Sequence, residues 1–200
     1  MSVVESSSEV YVLRRHQIEL SFHHMGDRWQ HQISVLCERE WRILVSSEEG
    51  IDSSGRLVSP ALQDLRLEEP GDGVVEFQLL GQAARGVYSA AIRFDGPARS
   101  IEFDMCARAL KPGAALCTSS RYRAGDRDAF TIEPRPAGGL ALIPGHGPGI
   151  ELLPLAYEGG ETECRCLDQG TVQTLVAGSA GRLDERPTRN VRWRYRMRWV

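Results

Sequence analysis

Apolar and polar side chains alternate along most of this chain. Ser100–Arg108 shows it cleanly: Ile101, Phe103 and Met105 fall on one side, Glu102, Asp104 and Cys106 on the other. Such alternation marks a strand with one buried face, because successive side chains of an extended backbone point to opposite sides. The same beat runs through Glu9–Arg14, Gln17–His24, Trp29–Val35, Trp41–Val45, Val74–Leu80 and Val87–Phe94. It returns in Leu116–Arg123, Ala129–Glu133, Gly139–Ile143, Ile150–Leu155, Glu161–Leu167, Thr171–Ala177 and Val191–Trp199. The 20 glycines and 10 prolines, with Asn and Asp, punctuate these runs. A dozen or more short strands so spaced predict an all-β fold, an antiparallel sandwich of jelly-roll or supersandwich type. At most one short helix is expected, at Ser59–Glu68, where Ser59 can cap, Pro60 suits the first helical position, and Leu62 and Leu65 lie three apart. The Gly/Pro-rich pieces are hairpin-sized. Residues 1–200 therefore read as one sandwich domain, with residues 1–8 as a flexible tail.

Composition narrows the class without changing the fold. With 42% apolar and 26% charged residues, the chain is neither disordered nor a coiled coil. No apolar run nears the roughly 20 residues of a membrane-crossing helix, so no membrane role is expected. The N-terminus, MSVVESSSEVYVLRR, carries no basic head followed by an apolar stretch, and the cytoplasm is the expected compartment. Five cysteines, an odd number at irregular spacing, argue against a disulfide framework. Cys164 and Cys166 share one strand face, and no second Cys or His pair follows at zinc-ribbon spacing, so they read as small core side chains and no metal is expected.

The formal charge of −3 is unevenly spread: Arg182–Val200 holds seven arginines and two acids, Asp184 and Glu185. A nucleic-acid arm does not place an apolar residue at every second position, as Trp193, Tyr195, Met197 and Trp199 are placed. A strand with one face in a core does. The row Arg192, Arg194, Arg196 and Arg198 then lies outward, where Glu102 and Asp104 are candidate partners. The aromatic-rich strand is also a candidate edge for pairing with a second copy.

Four of the five histidines fall between His16 and His31. A two-residue type II′ turn at Gly26-Asp27 sets His24 opposite Trp29 and Phe22 opposite His31, with all four on one face. Two imidazoles beside aromatic rings suit a sugar platform, acid–base work or part of a metal site, although the hairpin's only carboxylate near a third ligand position, Asp27, is needed in the turn, and cross-strand packing explains them more simply. His146, in Pro144-Gly-His-Gly-Pro-Gly149, sits where flanking glycines permit close backbone approach. No GxGxxG after a strand, Walker loop, HExxH or GxSxG is present. No cofactor is therefore expected, and the net acidity disfavours nucleic acid.

The many-stranded outline is shared by carbohydrate-binding modules, mutarotase-like sugar epimerases, jelly-roll domains and assembly proteins, an analogy of fold only. The preferred reading is a non-catalytic domain binding a small molecule or sugar through His24, Trp29, His31, Trp41, Arg121, Arg123 and His146. Tyr122 alternates with Arg121 and Arg123, and so faces the other way. The alternatives are an epimerase with a His acid (His24, His31 or His146) and a carboxylate base (Glu102, Asp104 or Glu151), and a protein-interaction module.

Overall fold

A computed structural model describes residues 3–6, 9–51, 55, 57–83, 85–111, 116–125, 130–158, 160–168, 173–180 and 190–200. Arg182, Asp184, Glu185, Arg186 and Arg189 of the basic segment lie outside these. The chain begins with five strands, β1 (Val3–Ser6), β2 (Val10–Arg15), β3 (Ile18–His24), β4 (Trp29–Cys37) and β5 (Glu40–Ser47). Four more follow, β6 (Asp64–Gly71), β7 (Val74–Ala83), β8 (Gly86–Asp95) and β9 (Ser100–Ala109). The remainder are β10 (Ser119–Ala124), β11 (Phe130–Arg135), β12 (Gly139–Pro144), β13 (Ile150–Leu155), β14 (Glu161–Asp168), β15 (Gln173–Ala180) and β16 (Asn190–Trp199).

Two eight-stranded sheets result, ordered β1-β2-β3-β4-β5-β10-β15-β14 and β11-β12-β13-β16-β9-β8-β7-β6, with every pairing antiparallel. The fold is an all-β sandwich, as the alternation predicts. The inner faces supply one hydrophobic cluster that includes Phe22, Phe77, Phe94, Phe103, Trp193 and Tyr195. Among the described residues no helix is long and apolar enough to cross a membrane.

Ser59–Glu68 is not a helix. Asp64–Gly71 is the edge strand β6, and residues 58–63 are an extended crossing from the first sheet to the second. Leu65 and Leu67 both pack on the core, so period two prevails over the three-residue spacing of Leu62 and Leu65. The crossing is tied to both sheets where it ends: Trp29 N–H donates to Leu62 O at 2.7 Å, and Gln63 N–H to Leu80 O at 2.7 Å. Within the expected tail, Val3–Ser6 pairs with β2.

The C-terminal strand is interior, not an edge. β13 flanks it on one side and β9 on the other, so its backbone is closed to a partner strand along most of its length. Beyond Leu155, where β13 ends, Thr162 of β14 takes the Arg194 N–H at 2.7 Å, which draws the two sheets together on that side. The arginine row does meet the acids across the ladder. Arg192 and Arg196 donate to Asp104 and Glu102, with their Nε atoms at 2.7 and 2.9 Å, and Arg198 donates to Glu151 at 2.6 Å. These pairs are partly exposed, and long side chains must be ordered to make them. Arg196→Ala is therefore expected to lower stability by less than about 1 kcal/mol, and by less still in high salt, as read from the urea midpoint.

A polar chain crosses the core. His31 Nε2 shares a hydrogen bond with Tyr122 OH at 2.8 Å, and Tyr122 OH with Tyr195 OH at 2.6 Å. Trp193 Nε1–H donates to Ser120 Oγ at 3.1 Å. Tyr122 belongs to the first sheet and Tyr195 to the second, so this contact ties the layers. All five cysteines are free. Cys164 and Cys166 pack against the core as small apolar groups, and burial pushes the Cys164 thiol up to about 12.

Candidate functional site

The β3–β4 hairpin has the expected register: His24 pairs with Trp29 and Phe22 with His31. The tip differs from a type II′ turn: Gly26 takes φ +75° and Asp27 N–H donates to Met25 O at 3.0 Å, a three-residue turn, while Met25 N–H donates to Arg28 O at 2.7 Å. The face carrying these four residues is, however, the inner one. His31 is 5% exposed and sits among Phe22, Phe103 and Tyr122, with ring centroids 5.8, 5.6 and 5.3 Å away. Burial disfavours its charged form and pushes its pKa down to about 4. Trp29 is 7% exposed and packs edge-on against Tyr11. His24 stands beside Trp29 at 4.9 Å.

The other candidates are scattered. Trp41 lies on the outer face under the Arg14 guanidinium, 5.7 Å from the ring centroid. It is about 16 Å along β5 from Ser46, at roughly 3.3 Å per residue. His146 is exposed on the β12–β13 loop, and its carbonyl accepts from Cys37 Sγ at 3.1 Å. Cys37 ends β4, so His146 and Trp29 are separated by the length of that strand, roughly 27 Å.

A cleft of about 570 Å³ opens on the outer face of the first sheet, at the end where the β3–β4 turn lies. Its polar lining is Gln30, Ser46, Ser47, Glu48, Glu49 and Arg123, and its apolar lining is Met25, Ile51 and Val58. Alternation explains the floor. Trp29 and His31 point inward, so Gln30 points out, and Ser46 pairs with Arg123 across β5 and β10. Met25 and Ile51 are 59% and 69% exposed, which leaves an apolar wall open to a ligand.

Arg121 meets residues beside the cleft through its backbone: Glu48 N–H donates to its carbonyl at 2.8 Å, and its own N–H donates to Ser59 Oγ at 3.0 Å. Val58 N–H then closes back on Gly50 O at 3.1 Å. Arg123 reaches Glu48 at 3.4 Å. Ser47 Oγ accepts the His31 N–H and donates to Glu49 Oε1, each at 3.0 Å, while Gln30 Nε2 donates to Ser47 O at 2.8 Å. The Glu49 carboxyl is largely buried and its Oε2 has no hydrogen-bond donor among the described residues. Burial pushes its pKa up to about 7, against the weaker pull of the Ser47 hydrogen bond and the Arg28 charge. Arg28 itself grips Asp27 through two hydrogen bonds of 2.8 and 2.9 Å and holds that carboxylate below the ordinary range.

Of the residues the sequence singles out, the structure brings only Arg123 into this cleft. Glu48 and Glu49 are not legible as site residues, because Ser-Ser-Glu-Glu-Gly after a strand reads as a polar turn. A second cleft, lined by His16, Gln17, Arg99 and Trp199, opens near the β2–β3 and β8–β9 turns. In neither cleft does an imidazole share the lining with a carboxylate. Glu102, Asp104 and Glu151 are engaged by the arginine row. Among the described residues no cluster of three or more His, Cys, Asp or Glu is placed to hold a metal ion.

No family model and no curated protein sequence matches this chain. Its fold does match solved structures. A heparinase III superposes with a TM-score of 0.60 at 11% identity, covering 100% of this chain and 36% of that one. The heparan sulfate lyase HepC from Pedobacter heparinus, a mutant form, gives 0.63 at 7%, with 100% and 36% covered. The GH36 α-galactosidase AgaB from Geobacillus stearothermophilus gives 0.57 at 9%, with 99% and 41% covered. This chain thus spans well under half the length of those proteins, and at such identities the likeness is one of fold: a β-sandwich that also occurs within carbohydrate-active enzymes.

Proposed function

We propose that this chain is a non-catalytic carbohydrate-binding sandwich, and that the cleft over Gln30, Ser46, Glu49 and Arg123 is its sugar site. The lining of that cleft carries the reading. A sugar presents hydroxyls that both donate and accept, on a ring with apolar C–H faces. Here an amide, hydroxyls, two carboxyls and a guanidinium stand beside the open apolar wall of Met25, Ile51 and Val58. Glu49 adds to this near neutrality, because a carboxyl that keeps its proton up to about pH 7 donates as well as accepts. The fold shared with carbohydrate-active enzymes supports the same reading. The separation of imidazoles from carboxylates favours binding over an epimerase, whose acid and base must converge on one substrate.

Calorimetric titration with methyl glucosides, methyl galactosides and a short neutral oligosaccharide tests this. At least one probe is expected to bind saturably. Gln30→Ala and Arg123→Ala are each expected to weaken it about tenfold, the loss of one good hydrogen bond, with little change in melting temperature. No saturable heat from any probe, or binding untouched by both substitutions, overturns the assignment.

A further inference from the structure

The second cleft has a different chemistry. Its volume is about 350 Å³, and its lining is His16, Gln17, Arg99 and Trp199. A guanidinium, an imidazole, an amide and an indole meet there without a carboxylate. Trp199 is the built part of this wall. It is 6% exposed, its ring lies 5.6 Å from Phe94, and its backbone N–H donates to Arg99 O at 3.3 Å. Yet its buried indole N–H has no acceptor among the described residues. An indole nitrogen donates only, so this group is satisfied by an acceptor or by nothing.

The surroundings add positive charge. Arg15, next to His16, lays its guanidinium over Gly73 and Gly96, where an added Cβ would meet Nη1 at 2.8 and 2.5 Å. Its buried Nε also lacks a partner among the described residues. The acid of the β8–β9 turn, Asp95, turns its oxygens to the Ala98 N–H at 2.9 Å and to Arg93 at 3.6 Å. His16 and Arg99 adopt φ of +53° and +50°, a region that residues with side chains rarely take, and both line the same cleft.

We propose that this cleft binds an oxyanion, the carboxylate or sulfate of a ligand, through Arg99 and His16, with the Trp199 indole as its wall. A guanidinium fork matches the geometry of such groups, and charge-assisted hydrogen bonds to it are the strong ones. The site is separate from the sugar cleft, which is lined by two carboxyls and lies by the β3–β4 turn, so the two assignments stand or fall apart.

The test is the indole N–H resonances of the 15N-labelled full chain, with Trp199→Phe identifying the relevant signal. Sodium sulfate and sodium glucuronate are titrated at constant ionic strength, with methyl glucoside as the neutral control. The Trp199 signal is expected to move saturably with an oxyanion and not with the glucoside. Arg99→Gln, an exposed turn substitution, is expected to weaken the response about tenfold, and Gln30→Ala to leave it unchanged. A response to glucuronate alone identifies a sugar-borne carboxylate, a response to sulfate alone a tetrahedral oxyanion, and a response to both a site for the shared charge. No saturable shift from either salt, an equal shift from the glucoside, or full retention in Arg99→Gln overturns the proposal.

Discussion

Gly81→Ala is expected to destabilise the fold by about 3 kcal/mol or more, or to prevent soluble expression. Gly81 lies on β7 where the 58–63 crossing passes directly over it. A Cβ there would stand 1.8 Å from Ala61 O, 2.8 Å from Ala61 C and 2.9 Å from Leu62 Cα. These are backbone atoms, so no rotamer change relieves the clash. The crossing must lift, and its hydrogen bonds resist, from Leu62 O to Trp29 and from Gln63 to Leu80. Lifting it also strains the bond from Arg121 N–H to Ser59 Oγ, beside the cleft that Val58 lines. The control is Gly145→Ala, which meets no atom within 4 Å and needs no positive φ, and is expected to change stability by less than about 0.5 kcal/mol. Urea midpoints compare the two. Equal stabilities would mean that the crossing does not press on β7 in solution.

This crossing also shows where sequence reading stops. Ser59-Pro60 with Leu62 and Leu65 satisfies a helix start, and only the neighbouring sheet decides otherwise. Ile150–Leu155 is strand from end to end as read, and β16 presents its arginines to Glu102 and Asp104, because alternation and charge act between near neighbours. The His24–Trp29 register is legible because Gly26-Asp27 marks the bend between two alternating runs. Which side of that hairpin meets the second sheet is not legible. Alternation defines two faces and does not say which is inside, so His31, read as a ligand contact, lies in the core while Gln30 beside it lines the cleft. Glu49 is hidden for a related reason. Its neighbour Gly50 accepts from Val58 N–H, a contact that no local pattern predicts.

His31 and Glu49 dominate the expected response to acid. Burial holds His31 near 4, below its ordinary 6.5, so between these values the unfolded chain takes up a proton that the folded chain refuses. Stability through His31 is full above pH 6.5 and declines as pH falls toward 4, and the gap amounts to about 3 kcal/mol at most. Glu49 works in the opposite sense. Its carboxyl is held near 7, above its ordinary 4.5, so between these values the folded chain keeps a proton that the unfolded chain releases, and stability declines as pH rises. From pH 4.5 to 6.5 the two slopes oppose each other and partly cancel. They are also neighbours: Ser47 Oγ touches both the His31 N–H and Glu49 Oε1, and the Glu49 charge acts on Tyr122, the partner of His31. Glu49→Gln is expected to remove the falling limb, so that the urea midpoint climbs steeply from pH 4 to 6.5 and exceeds wild type above pH 7. His31→Gln is expected to leave the falling limb alone, with the midpoint declining from pH 4.5 to 7 whatever its constant offset. Two variants that keep the wild-type profile would mean that neither group titrates under the control of its burial.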